Sequence, residues 1–593
     1  MRYLAPVSDT LFFLEHCTSL KRLSDEGAVP DLSPDLVKSV LEEAGKFASE
    51  QIAPLNRIGD IEGAKFENGV VCTPKGWKET YHAWCTAGWQ GLGAPPEYGG
   101  QGLPNIVNMA CAEFWTAASM AWALGPLLTT AAIEAMHAHA SEALKQKYFA
   151  KLVSGEWTGT MQLTEPQAGS DVGALTTRAV KQADGSYRLK GQKIFITYGE
   201  HDMTDNIVHF VLARLPDAPA GTKGISLFLV PKFMVKDDGS LGQRNDLRAA
   251  SVEHKLGIHA SPTCVMVYGD HDGAVGYLVG EENKGLVCMF TMMNNARLGV
   301  GVQGVAIAER AMQQAFDYAR ERKQGQGADG KQTAIINHPD VKRMLLTMRA
   351  LTSASRAISL KCADALDRAK FLKDAGERKT AFEEGNLLTP IAKAFSTDTG
   401  IEVASLGVQV HGGMGFIEET GAAQHYRDAR ISAIYEGTNG IQSIDLVTRK
   451  ITQSGGETLK RMLKGFHATS TAVKASKENF GETAARLDEA LTALEKTSRH
   501  LLETLGKQPN DALAGATPYQ RLFGLVAGAS YLAEAALAAS TARAGGDIDP
   551  AHLARIEIAR FFAENLLPAA VGLAPVVMTS AQSVLNSETA LAG

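Results

Sequence analysis

The sequence predicts a multidomain protein of α and β structure: an N-terminal helical domain, a central antiparallel β-barrel domain, a helical-bundle domain, and an appended C-terminal helical domain. Three observations carry that expectation. Apolar residues recur at helical spacing on both sides of a central segment, the period falls to two between about Trp157 and Glu282, and Gln453-Ser454-Gly455-Gly456 reads as a linker before a last helical stretch. A chain of 593 residues also exceeds what one hydrophobic core organises. The expected domains are residues 1–156, 157–283, 284–455 and 456–593.

Taken in order, the first helix is expected from Ser33, which can cap it; Pro34 suits its first position, and Leu36, Val40, Ala44 and Phe47 recur at helical spacing until Pro54. Helical pattern continues to about Trp157, broken at Ala94-Pro95-Pro96-Glu97-Tyr98-Gly99-Gly100-Gln101-Gly102, which is too rich in Pro and Gly for helix. The central strands are Tyr187-Arg188-Leu189-Lys190, Lys193-Ile194-Phe195-Ile196-Thr197, Ile207 to Leu212 and Ile225 to Val230, with Asp184-Gly185 marking a hairpin. After Gly285 long helices run to about Ile451, and past Gly456 an Ala- and Leu-rich helical region breaks near Gln508-Pro509-Asn510 and Gly545-Gly546. Gly299-Val300-Gly301-Val302-Gln303-Gly304 fits the dinucleotide-binding pattern, yet it follows Asn294-Asn295-Ala296-Arg297 in helical sequence, with no strand before it. Gly301, Gly304, Ala308, Ala311 and Ala315 read instead as a small-residue stripe for close helix packing.

A net charge of -6 gives no global basic field for nucleic acid or an anionic membrane surface. Seven scattered cysteines, none in a Cys-x-x-Cys pair, suggest neither a disulfide framework nor a thiolate zinc site, so no metal is expected. The stretch from Met1 to Cys17 lacks the pattern of a signal peptide, and no apolar run is read as long enough to span a bilayer, the nearest being Leu566 to Met578. A cytoplasmic protein is expected.

The most informative segment is Tyr435-Glu436-Gly437-Thr438-Asn439-Gly440, which sets one carboxylate among glycines and small polar residues. A loop Glu beside Gly is ordinarily solvated; held in a tight, poorly hydrated turn, it becomes a proton-abstracting base. Three more segments decide between these readings: Met161 to Asp171 (MQLTEPQAGSD), Gly191 to Thr197 (GQKIFIT) and Val408 to Phe416 (VQVHGGMGF). In this order they resemble the acyl-CoA dehydrogenase family of flavoenzymes, over roughly Pro34 to Lys450.

That resemblance implies FAD as cofactor, an acyl-CoA thioester as substrate, and Glu436 as the catalytic base that removes the α-proton while a β-hydride leaves for the flavin. It implies cofactor contacts from Met161, Leu163, Thr164, Gly169, Ser170, Phe195, Thr197 and Thr438. Arg322, Gln409, Gly412 and Gly413 match the positions that reach the FAD of a neighbouring subunit, although Gln324-Gly325-Gln326 departs from the family pattern after Arg322. Substrate contacts are expected from Ser170, Arg297, Tyr435 and Gly437. In some relatives the base sits in the segment that here reads Asn294-Asn295-Ala296-Arg297; Ala296 cannot do that work.

The N-terminal piece Tyr3 to Asp9, the domain after Gly456, and the segments Phe66 to Val71 and Gly76 to Glu79 resemble the branch acting on 3-methylmercaptopropionyl-CoA in dimethylsulfoniopropionate breakdown. Short or medium straight-chain acyl-CoA, and an oxidase reoxidised by O2, stay open as alternatives, since a thioether and a methylene fill similar space. A DNA-associated flavoprotein is the alternative of another class; the region after Gly456 carries no basic block to serve it. Electron transfer flavoprotein is the expected acceptor and a homodimer the expected assembly.

Overall fold

A computed structural model describes residues 3–592, apart from the side chain of Asn294; Met1, Arg2 and Gly593, at the ends of the outermost expected domains, lie outside the described residues. The helices that matter below are α1 (Val7–Cys17), α2 (Pro34–Phe47), α3 (Asn105–Ala118) and α4 (Met120–His139). Eight sheet strands follow: β1 (Trp157–Gln162), β2 (Arg178–Lys181), β3 (Tyr187–Thr197), β4 (Asn206–Arg214), β5 (Ile225–Pro231), β6 (Leu247–Val252), β7 (Thr263–Tyr268) and β8 (Ala274–Val279). Then come α5 (Gly285–Glu321), α6 (Pro339–Phe371), α7 (Ala375–His411), the short α8 (Asn439–Asp445), α9 (Ala516–Ala544), α10 (Pro550–Asn565) and α11 (Pro568–Thr579). The chain divides into two compact units: one comprises residues 46–104 and 118–296, the other residues 1–45, 105–117 and 297–593.

The first unit is built on the sheet, in the order β6-β7-β3-β8-β5-β4-β1, with β2 pairing both β3 and β4. Strands β3, β8, β5, β4 and β2 therefore close a ring, which makes this a barrel, with β6 and β1 as the ends of the path outside it. The pairing is not wholly antiparallel, as the sequence suggested: β1 runs parallel to β4, Trp157 opposite Asn206 through Gln162 opposite Val211. Every residue of β1 is buried, which is how a parallel strand covered on both faces reads. Gly159 permits the cover, because a Cβ there would stand 2.4 Å from that of Ala132 on α4. The expected hairpin at Asp184-Gly185 is present, with Lys181 opposite Tyr187. A second hairpin, Lys65–Glu67 with Val70–Cys72, interrupts what the sequence reads as continuous helical pattern; Asn68 and Gly69 both take positive φ, the geometry of a two-residue hairpin turn.

The second unit is helical apart from a two-stranded hairpin, Lys323–Gln326 with Gln332–Ala334. In the Gly-x-Gly-x-x-Gly stretch, a Cβ on Gly304 would meet the Ser396 carbonyl at 2.2 Å, and one on Gly301 the Ala392 carbonyl at 2.8 Å. The glycines thus bring α5 backbone-close to α7, and no phosphate-binding turn exists there. Helix α1 buries Phe12, Phe13 and Leu14. Against the expectation from sequence, Ala516–Ala544 and Pro550–Thr579 are long and apolar enough to cross a membrane by composition. The first has 83% of its apolar window buried, and Gly524 on it lies against the Phe395 ring of α7. The second is two helices, α10 and α11, with Pro568 opening α11.

Candidate active site

The helical unit contains the turn that carries Glu436. The turn lies between a short 3-10 segment ending at Ala433 and α8, whose N-cap Thr438 accepts the Ile441 N–H through its side chain at 3.2 Å. Gln442 on α8 reaches back, its Nε2 donating to the carbonyls of Glu436 and Gly437 at 3.4 and 3.3 Å. Glu436 has φ +55 and Gly437 φ +84, so two successive residues occupy the left-handed region. Only the second is a glycine, and a Cβ there would also meet the Gln442 amide at 2.7 Å. The backbone N–H of Glu436 has no hydrogen-bond partner among the described residues.

Several buried side chains surround this turn. Arg297, 6% exposed, sits thirteen residues into α5 and approaches Asp445 on α8 at 3.6 Å. It lies mid-helix, because the apolar run from Leu286 is itself part of α5. Tyr435 donates its phenol to the Gln303 side chain on the same helix. Lys393 of α7, fully buried, donates to Asn439 Oδ1 at 2.8 Å. Burial pushes the half-buried Glu436 carboxyl above its ordinary range, while Arg297 and Lys393 pull the other way. Burial likewise depresses Lys393, to about 7, against the pull of Glu436 and Asp398. A carboxylate in this setting accepts a proton more readily than one in water.

The barrel unit holds the segments expected to meet the cofactor. Met161 is buried at the end of β1, Leu163 and Thr164 are half-buried, and Gly169 and Ser170 are exposed. The loop is tied to β3 by the Ile194 N–H donating to Thr164 O at 3.0 Å, and by Lys193 Nζ donating to Leu163 O at 3.1 Å and Glu165 Oε1 at 2.8 Å. Glu165, 2% exposed, also accepts from Gln167, from the N–H and hydroxyl of Thr176, and from the N–H of Thr177. Burial alone would raise this carboxyl, but Lys193 and these donors hold it at about 2. Phe195 takes φ +59 at an irregularity opposite β7 and is 59% exposed, with Thr197 two residues on along β3.

An uncovered aromatic face on a strained backbone, beside a loop whose Gly169 has no heavy atom within 4 Å of a hypothetical Cβ, fits a flat ring system with a diphosphate. Of the remaining expected cofactor residues, Thr438 belongs to the Glu436 turn as the N-cap of α8, whereas the other four lie at or just past the ends of α5 and α7. Gln409, Gly412 and Gly413 are exposed at the C-terminal end of α7, and Arg322 is exposed just past the end of α5; Tyr318 and His411 stack at 4.5 Å between these two ends. Sequence reasoning missed Lys393, Asn439 and the Glu165–Lys193 pair. Lys393 had a signal, a lone charge in the otherwise apolar Pro390-Ile391-Ala392-Lys393-Ala394-Phe395; the pair had none, since 28 residues separate its members.

Comparison with known proteins bears on this arrangement. Family models match in series: the acyl-CoA dehydrogenase N-terminal domain over residues 35–156, its middle domain over 160–271, its C-terminal domain over 283–451, and an acetyl-CoA dehydrogenase C-terminal-like domain over 461–588. The 3-methylmercaptopropionyl-CoA dehydrogenase of Ruegeria pomeroyi is 48% identical over 96% of each chain. A butyryl-CoA dehydrogenase of Syntrophomonas wolfei is 33% identical over 98% of each. An acyl-CoA dehydrogenase from Bacillus anthracis, solved with FAD, shares the fold at 20% identity, with a TM-score of 0.73 over 96% of this chain and 93% of its own. With its barrel flanked in sequence by helical domains, and with such similarity along nearly its whole length, the chain belongs to the acyl-CoA dehydrogenase family, FAD-dependent oxidoreductases acting on acyl-CoA.

Proposed function

We propose that the protein oxidises 3-methylmercaptopropionyl-CoA to its 2-enoyl-CoA product in dimethylsulfoniopropionate catabolism, with Glu436 as the base. The observation that carries the chemistry is the Glu436 turn. It combines a carboxylate raised by burial with its own unpartnered backbone N–H. Removing a proton next to a thioester leaves negative charge on the carbonyl oxygen, and a fixed N–H donor to that oxygen stabilises it by about 3 kcal/mol. The carboxylate and the donor come from one residue, so the left-handed backbone that aims one also aims the other.

Met161, Leu163, Thr164, Gly169, Ser170, Phe195, Thr197 and Thr438 would hold FAD, joined by Arg322, Gln409, Gly412 and Gly413 across a homodimer. Bound FAD supplies the acceptor for the β-hydride. Phe195 would cover the bound ring system and exclude water from it; Arg297, Tyr435, Gly437 and Ser170 would orient the acyl-CoA. The exposed Met414, Phe416 and Ile417, next to Gly412 and Gly413, support pairing with a second copy. Electron transfer flavoprotein is the proposed acceptor and the cytoplasm the proposed location.

The methylthio substrate rests on the likeness to the Ruegeria pomeroyi enzyme, and the likeness to the butyryl-CoA dehydrogenase of Syntrophomonas wolfei favours a second reading, a short straight-chain acyl group. Anaerobic flavin bleaching with 3-methylmercaptopropionyl-CoA and butanoyl-CoA decides. The first should bleach with the higher kcat/KM; a clear preference for butanoyl-CoA replaces the first reading with the second.

A further inference from the structure

Lys393 is the least expected group near the turn. It is a lysine with no exposed surface, on the face of α7 that packs α8, three residues after the in-helix Pro390. Such burial is tolerated where the ammonium is hydrogen-bonded or gives up its proton readily. Its hydrogen bond is to Asn439 Oδ1, and Asn439 is the first residue of α8, three positions past Glu436. The amide is in turn fully committed: its Nδ2 donates to Asp398 Oδ1 at 2.7 Å, to Thr397 Oγ1 at 3.0 Å and to Ala394 O at 3.3 Å. One buried knot of α7 side chains thus grips the residue that follows the catalytic turn, and its lysine carries one of the two cations acting on the Glu436 carboxylate.

We propose that Lys393 is a positioning residue for Glu436: through Asn439 it anchors the turn, and its buried charge sets how strongly the carboxylate holds a proton. The inference rests on Glu436 being the base. While Lys393 is protonated, its charge favours the Glu436 carboxylate; when it loses its proton, the same carboxylate becomes a stronger base. Groups acting on the pair from the packed elements are Arg297 of α5 and Asp398 of α7; Asp445 and Arg449 act in turn on Arg297, and Arg430 and Arg521 on Asp398. Burial holds Lys393 at about 7 and raises Glu436, so the charge of each group bears on the proton of the other.

Carboxyl infrared difference titration of the full-length protein, with Glu436→Gln as the blank, reads the Glu436 carboxyl directly. In the wild type the midpoint should lie above the ordinary carboxyl range. In Lys393→Met it should rise further, by about one pH unit. Lys393→Arg should restore the lower midpoint, and Asn439→Ser should shift it upward by less. An unmoved midpoint in Lys393→Met overturns the proposal, and so does a Lys393→Arg midpoint as high as that of Lys393→Met. The pH profile of anaerobic bleaching should follow the same shifts, through kcat rather than KM. If Glu436→Gln bleaches normally, the base assignment fails, whereas the midpoint shift between wild type and Lys393→Met still reports the influence of Lys393 on that carboxyl; the two failures are therefore distinguishable.

Discussion

Glu165 in the barrel unit and Glu436 in the helical unit are both carboxylates in turns rich in glycine and small residues, and they are treated in opposite ways. Glu165 is 2% exposed, accepts five hydrogen bonds and faces Lys193 at 2.8 Å, so its charged form is held down to about 2. Glu436 receives no side-chain hydrogen bond among the described residues, and burial raises it although Arg297 and Lys393 act from nearby. The difference lies in donors rather than in depth: a saturated carboxylate is a structural anchor, whereas one left without donors keeps its affinity for a proton. Each role suits its place, Glu165 fixing the loop from Thr164 to Thr177 and Glu436 riding on a turn that stores backbone strain.

The largest test of this contrast is Glu436→Gln. Anaerobic bleaching by acyl-CoA should slow by about 10²- to 10⁴-fold, with FAD retained. Stability should rise at neutral pH: the folded carboxyl titrates above its unfolded value, so stability falls as pH climbs through that interval, and Gln removes the loss. Normal bleaching by the variant would end Glu436's claim to be the base.

Glu165→Gln should act in the opposite sense. It strands Lys193 without its counter-charge and is expected to destabilise the protein by about 3–5 kcal/mol, measured by chemical denaturation, with loss of bound flavin. Because the folded carboxyl sits at about 2, wild-type and variant stabilities should differ fully above the ordinary carboxylate range and converge as pH falls toward 2. A difference that stays constant down that range contradicts the anchoring role.

The smallest effect is expected at Gly437, whose φ is +84. Gly437→Ala should destabilise by about 1–2 kcal/mol and depress kcat more than KM, since the strained turn aims the carboxylate. An unchanged kcat would mean that turn geometry and proton abstraction are separable.

Much of this contrast is legible in the order of residues. Gly437 and Gly440 mark a turn around Glu436, and the three other segments, found in their order, give that turn its chemistry. The helix-packing role of Gly301 and Gly304 follows from the missing strand before them. Less legible are the parallel pairing of β1 with β4, which depends on which strand lies alongside, and the hairpin at Asn68-Gly69, whose strands of three residues are too short to show a period.

The sequence alone determined where the chain changes from period 3.6 to period 2 and back, and which short segments carry the family's chemistry, because both are written in local residue order. Tertiary structure decided what each charged group in those segments does. Lys193 meets Glu165 across 28 residues and Lys393 reaches Asn439 across 46, and no local pattern encodes such pairings. Proton affinity depends on burial and on partners within a few ångströms, and those are fixed only when distant parts of the chain pack together.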